Sequence, residues 1–216
     1  MEPRRRRRSR FYICLGFGSN VGNLEINLLN AISSVKKEIA GISASGASDI
    51  YLSSPVGAGA TEQPYFLNCA VLFGLNPAKR IFSGTGESFP RLGKYILGIL
   101  KEIEKSMGRK SGTERNMPRI IDIDMLFILD NASNIYIKLD LPDIKLPHAE
   151  IFNRKFVLYP LLDLRRNAFN FKKPFDEEGI KKALAKIEKK EKPDSENLQK
   201  ISLYGKFDEN LIQILR

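Results

Sequence analysis

The sequence predicts an α+β domain in which helices pack on an antiparallel sheet. Three observations carry that expectation. Strand-length runs of β-branched and aromatic residues alternate with two amphipathic stretches at helical spacing. Their order is β-α-β-β-α-β, and Gly, Pro, Asn and Ser clusters punctuate the junctions. Residues 11–17, FYICLGF, read as the first strand. GSNVGN turns the chain into LEINLLNAISSVKKEI, where Leu24, Leu28, Ala31, Ile32 and Val35 fall on one helical face. A second strand is expected around 48–54, ending at Pro55, and VGAGATEQP reads as a Gly-rich loop. YFLNCAVLFGL, 65–75, is a third strand. SGTGESFPRLG reads as a loop, followed by a helix over 94–108 that Gly108 stops. RKSGTERNMP is too polar and too rich in turn residues for regular structure, and PRIIDIDMLF, 118–127, is the fourth strand. This order is that of a split-βαβ, ferredoxin-like α/β sandwich with its helices on one face of the sheet.

At 216 residues and 43% apolar, the chain can bury a substantial core. Its net charge of +10 is uneven, because the first ten residues, MEPRRRRRSR, hold six arginines and one glutamate. Residues 1–10 are expected to be a disordered basic arm that meets nucleic acid only non-specifically. No cleavage site of small residues follows the arm, which argues against a secretory signal, and no run is long enough to span a membrane. Cys14 and Cys69 lie inside apolar runs, as buried reduced thiols of a cytoplasmic protein do; a disulfide between them is the open alternative. Residues 11–165 are expected to form the main folded domain. In the Lys/Glu-rich 166–216, Ile180, Leu184 and Ile187 share a helical face that should pack on the same domain, and the last segment could add a short strand.

The chemistry centres on the fourth strand. Asp122 and Asp124 are two residues apart, so they share a face, with Cα atoms roughly 6.5–7 Å apart. Two carboxylates held side by side in an apolar run require positive charge nearby. From the pair alone, a salt bridge and a metal site are equally supported. Arg109, Arg115 and Arg119 stand just upstream and Glu104 lies on the preceding helix, so the set suits transfer of a phosphoryl-type group. His148, the only histidine, is followed by Arg154; a lone histidine is more often structural. GFGSNVG lacks the spacing of a dinucleotide fingerprint, and no P-loop sequence occurs anywhere.

LGFGSNVGN, YLSSPVG, EQPYFLNCAV, IEKSMGR, PRIIDIDML and LPHAEIFNRKFVLYPL, in this order over residues 11–165, together resemble the 6-hydroxymethyl-7,8-dihydropterin pyrophosphokinase family. The resemblance implies transfer of pyrophosphate from ATP to a pterin alcohol in folate biosynthesis, with AMP leaving. It implies that Asp122 and Asp124 hold two Mg²⁺ and that Arg109 and Arg119 are catalytic arginines on a lid over the triphosphate. His148, Arg154 and Glu104 match ATP-contacting positions. Ser53, Ser54, Val56, Phe66, Asn68 and Phe156 match the pterin pocket, where a flat heterocycle would meet aromatic faces and an amide. ATP and the pterin alcohol are thus the implied partners, and neighbouring folate-pathway enzymes are a further class left open.

Several features depart from the family. Asn116-Met117 stands where Trp-Gly is common, Ser111 and Gly112 replace basic residues, and residues 78–95 lengthen a connection. Two other readings compete. An RNA-binding ferredoxin-like module would use the basic charge but needs exposed aromatics in an RNP pattern, which the strands lack. A catalytically degenerate homologue would keep the fold without turnover.

Overall fold

The computed structural model describes residues 9–56, 63–78, 88–109, 117–167, 169–191 and 198–206. In chain order the elements are β1 (Phe11–Ser19), α1 (Leu24–Glu38), β2 (Ile42–Ala47), β3 (Ile50–Ser53), β4 (Phe66–Leu75), α2 (Ser88–Ser106) and β5 (Asp122–Asp130). β6 (Ile135–Tyr136), β7 (Leu139–Leu141), β8 (Ile144–Leu146), a 3₁₀ turn (Ile151–Asn153), α3 (Lys155–Asn167), α4 (Glu177–Lys190) and β9 (Ile201–Gly205) follow. Among the described residues one antiparallel sheet has the order β6-β5-β1-β4-β3-β9, with β2 on the same edge of β4 as β3; β7 and β8 pair separately.

The expected second strand, around 48–54, is β3, and a strand the sequence reading did not expect, β2, precedes it across a break. Ser48 marks the break: its N–H donates to the Ala70 carbonyl at 2.9 Å, while the Ala70 N–H donates to Ser48 Oγ instead of a ladder carbonyl. The second helix starts earlier than its apolar spacing suggested, at Ser88 rather than residue 94. Pro90 sits in the first turn, where a missing N–H costs no intrahelical bond. Leu92, Ile96, Leu100 and Ile103 then point into the core. α1 is capped by Asn23, whose side chain accepts from Ile26 N at 3.2 Å, and α4 by Asp176, which accepts from Gly179 N at 3.0 Å.

Helices cover both faces of the sheet, not the single face expected. Phe11, Ile13, Leu15 and Phe17 of β1 pack with α1 and α2. Cys14, with Ala70, Leu72, Leu126 and Phe127, packs with α3 and α4 on the other side. The apolar stripes of α3 and α4 (Leu158, Leu161, Ile180, Leu184) would otherwise stay in water, so the Lys/Glu-rich extension closes the second layer. Phe127 is central there, 4.6 Å from the Phe175 ring centroid and 5.4 Å from that of Phe171. Phe127→Ala is expected to destabilise the fold by about 3–5 kcal/mol, to be measured as a shifted denaturant midpoint at unchanged m-value.

Cys14 and Cys69 are free and buried, and burial pushes both thiols far above their ordinary range. Residues 9 and 10 of the basic arm are docked, contrary to the expectation for 1–10. Arg10 N donates to Asn76 Oδ1 at 2.8 Å, its guanidinium pairs with Asp130 at 3.1 Å, and Ser9 O accepts from Asn131 Nδ2. Residues 1–8 lie outside the described residues. Among the described residues no helix is long and apolar enough to cross a membrane.

Candidate active site

The α3 face of the sheet opens into a cavity of about 700 Å³ at the C-terminal end of β1. Its floor follows from the register. Gly18 of β1 lies opposite Asp122 and Gly16 opposite Asp124 on β5, while Asn68 and Ala70 flank from β4. A Cβ on Gly18 would come within 3.3 Å of Asn68 Oδ1, so the glycine keeps that amide open to the cavity. Asn68 Nδ2 donates to Ser53 Oγ at 2.9 Å and to the Phe66 carbonyl at 3.3 Å, which leaves Oδ1 as its free-facing acceptor edge. Ser53, Ser54, Val56, Phe66, Asn68 and Phe156 all line this one cavity.

The charged end is built on β5. Ile123 and Met125 are buried on the far side while Asp122 and Asp124 face the cavity, as strand alternation requires. Arg109 Nη1 meets Asp122 Oδ1 at 2.7 Å and Arg119 Nη1 meets Oδ2 at 3.0 Å, so both Asp122 oxygens are paired. Asp124 has looser partners, His148 Nε2 at 3.9 Å and Arg154 Nη1 at 3.7 Å. A third of its side chain meets the cavity. The surrounding walls and then the Asp122 charge still raise its pKa, against His148, Arg154 and Arg119.

A bulge explains how the histidine arrives there. Cys14 pairs Phe127 and Leu15 pairs Met125, so Leu126 is an extra residue in β5. Its carbonyl accepts the His148 N–H at 2.8 Å, placing the ring beside Asp124. His148 Nδ1 accepts from Glu150 N at 3.2 Å, so in the neutral ring the proton sits on Nε2, toward Asp124. The Arg154 guanidinium lies 5.6 Å from the Phe156 ring centroid.

Glu104 is the one expected site residue that does not line the cavity. It is buried behind Arg109, pairs with that guanidinium, and accepts the Ile123 N–H at 2.8 Å. Burial pushes its carboxyl up to about 7, and Asp122 adds to this; the Ile123 amide and Arg109 pull it down. Asn20 was missed by sequence reasoning. It is 2% exposed, its Oδ1 accepts from Arg119 N at 2.7 Å, and its own N–H donates to the Arg119 carbonyl at 3.2 Å. A polar residue ending an apolar strand is the available signal, but GFGSNVG by itself reads as a turn into α1 without the spacing of a dinucleotide fingerprint. Arg115, Ser111, Gly112 and Asn116 lie outside the described residues, as do Gly57 and Gly59 of the Gly-rich loop.

The chain can be compared with known proteins. The sequence model of 7,8-dihydro-6-hydroxymethylpterin-pyrophosphokinase matches residues 14–166. The chain is 35% identical over 159 residues to the mitochondrial folate synthesis bifunctional protein of Arabidopsis thaliana, covering 72% of this chain and 24% of that one. It is 32% identical over 155 residues to 2-amino-4-hydroxy-6-hydroxymethyldihydropteridine pyrophosphokinase of Bacillus subtilis, covering 71% of this chain and 76% of that one. A Plasmodium falciparum HPPK-DHPS crystal structure with pterin and p-hydroxybenzoate superposes with a TM-score of 0.50 at 15% identity, covering 83% of this chain and 44% of that one, a likeness of fold. The chain thus spans about a quarter of the plant relative's length and three-quarters of the bacterial one. A match running from β1 through α3, together with that bacterial relative, places the chain in the 7,8-dihydro-6-hydroxymethylpterin-pyrophosphokinase family.

Proposed function

We propose that this chain transfers the pyrophosphoryl group of ATP to 6-hydroxymethyl-7,8-dihydropterin, giving AMP and the pterin diphosphate, in folate biosynthesis. One observation carries the reading: a single cavity joins an aromatic and amide end to an end with two carboxylates and three arginines. A flat heterocycle suits the first end, its ring against Phe66 and Phe156 and its amino group donating to Asn68 Oδ1. A triphosphate suits the second, where Arg109, Arg119 and Arg154 converge.

The donor set fits Mg²⁺. Asp122 and Asp124 offer only hard oxygens, and Mg²⁺ is typically held by one or two carboxylates together with substrate phosphates. Among the described residues no group of three or more metal-ligating side chains exists, so the phosphates would supply the remaining ligands. Asp122 and Asp124 would hold two Mg²⁺, which would supply neutralisation of the phosphate charge.

The chain's own residues align and neutralise. Arg109 and Arg119 leave Asp122 for the phosphates, and Arg154, stacked on Phe156, holds the nucleotide beside Asp124. Glu104 acts from behind, by fixing Arg109. The pterin hydroxyl attacks the β-phosphorus with AMP leaving, without a covalent enzyme intermediate. The β5-β1-β4-β3 order at the centre of the sheet supports the ferredoxin-like reading of the fold. The two buried thiols support a reducing compartment, the cytoplasm. Relatives named as bifunctional folate synthesis proteins support neighbouring folate enzymes as partners.

The test is AMP release by the pure protein. It should require both the pterin alcohol and Mg²⁺, and EDTA should abolish it. Release of AMP at the same rate without the pterin would refute the reading. A second expectation concerns the arm. β1 carries Phe11 at the end of the sheet away from the cavity and Gly18 on the cavity floor, a span of roughly 25 Å. Deleting residues 1–8 is therefore expected to leave kcat unchanged at physiological salt, measured beside the full chain.

A further inference from the structure

Residues 198–200 lie beyond the part of the chain matched to the family, yet they touch two separate stretches of the cavity wall. One stretch is the end of β3. Ser54 N donates to the Lys200 carbonyl at 2.9 Å, Lys200 N donates to Ser54 Oγ at 3.0 Å, and Ser54 Oγ donates to the Leu198 carbonyl at 3.2 Å. β9 then continues along β3, with Ile201 opposite Ser53.

The other stretch contains Arg154, and Gln199 brackets it. Gln199 Oε1 accepts from Lys155 N at 2.8 Å, and Gln199 Nε2 donates to the Asn153 carbonyl at 2.9 Å. The backbone on both sides of Arg154 is thus held by one side chain. The Gln199 backbone is itself anchored. Gln199 N donates to Glu191 Oε1 at 2.9 Å, and Glu191 Oε2 pairs with Lys155 Nζ, both side chains 11% exposed. A buried ion pair at the end of α4 is costly to open by one partner, so the bracket rests on a firm base.

We propose that residues 198–200 are a tie that fixes the separation of these two wall stretches, and that Gln199 is a positioning residue that holds Arg154 in line with Asp124. This rests on the reading of the cavity as a nucleotide and pterin site. Arg154 carries a long side chain whose direction is set by its backbone, and its guanidinium approaches Asp124 at 3.7 Å. Freeing residues 153–155 spreads that guanidinium over more positions and weakens its grip on an anion. The Ser54 stretch is held by backbone atoms of 198 and 200, so a change at Gln199 alone leaves it in place.

The test uses the full chain with Gln199→Ala, and Gln199→Met as a control that keeps length but makes neither bond. Amide hydrogen exchange reads the tie without any ligand. Exchange should speed up across residues 150–157 in both variants and stay unchanged across 50–56. Binding of α,β-methylene-ATP with Mg²⁺ should weaken about five- to tenfold in both. Binding of 6-hydroxymethylpterin should stay within about twofold. Unchanged exchange in both segments overturns the tie, as does recovery of wild-type behaviour by Gln199→Met. An equal loss of both ligands with a lowered Tm also overturns it, because that pattern belongs to general loosening. If the wild type binds neither probe, the proposed function falls and the exchange result alone decides the tie.

Discussion

Asp122→Ala and Asp124→Ala should each reduce AMP release more than about tenfold, a rise in barrier above ~1.4 kcal/mol, with the protein still folded. Each carboxylate faces the cavity from β5 while its neighbours Ile123 and Met125 fill the core, so truncation removes charge without opening the apolar layer. Asp122 and Asp124 are also the carboxylates that pair with the cavity's arginines; the third carboxylate on its wall, Glu150, accepts from Asn153 Nδ2 at 3.2 Å. For Asp124 the sign on stability is opposite to that on turnover. Its folded-state pKa is raised, chiefly by withdrawal from water, so its ionisation costs stability above the unfolded value of 3.8. Asp124→Ala should therefore raise Tm at pH 7, and the gain should shrink as pH falls toward that value. Retention of more than about a tenth of the wild-type kcat in either variant contradicts the metal-platform role.

Arg109→Ala and Arg119→Ala should lower kcat about a hundredfold, the usual loss for a donor aimed at developing charge. Without nucleotide both guanidiniums are spent on Asp122, at 2.7 and 3.0 Å. On the proposed function, phosphate oxygens would draw both guanidiniums off Asp122, so the arginines are expected to count most once the substrates are bound. The two variants should differ in their background. Arg109 also neutralises Glu104, whose carboxyl already sits near 7, so its loss leaves Glu104 protonated rather than as a bare buried charge. Arg119 is fixed through its backbone by Asn20, so its truncation leaves the loop base in place. Lysine should restore little at either position, because one ammonium cannot span two oxygens as a guanidinium does. Steady-state kcat and KM for ATP check this; values of kcat within about twofold of the wild type would remove the arginines from the chemistry.

The four-strand core, α1 and the carboxylate face were legible because each is written locally, in side-chain period or residue type, whereas the cavity-wall residues were named only through the family resemblance. The second helical layer was legible only indirectly. FYICLGF and YFLNCAVLFGL are nearly continuous apolar runs rather than alternating ones, which is the pattern of strands buried on both faces, and α3 and α4 supply the second cover. The division of β2 from β3 depended on the Ser48 hydroxyl replacing a ladder carbonyl, which composition does not encode. The bulge at Leu126 and the resulting seat of His148 depend on register between distant strands. Glu104 was placed at the nucleotide by resemblance, whereas helical phase turns it toward the β5 backbone behind Arg109. Gln199 carried no signal in its own neighbourhood, since the partners of its side chain are 44 and 46 residues away.

The most direct measurement is ³¹P NMR of the products formed from ATP, Mg²⁺ and 6-hydroxymethyl-7,8-dihydropterin. Attack of the hydroxyl on the β-phosphorus predicts AMP and a pterin carrying two coupled phosphorus resonances, in equal amounts. ADP with a pterin monophosphate, or ATP cleavage that leaves the pterin alcohol unaltered, would contradict it.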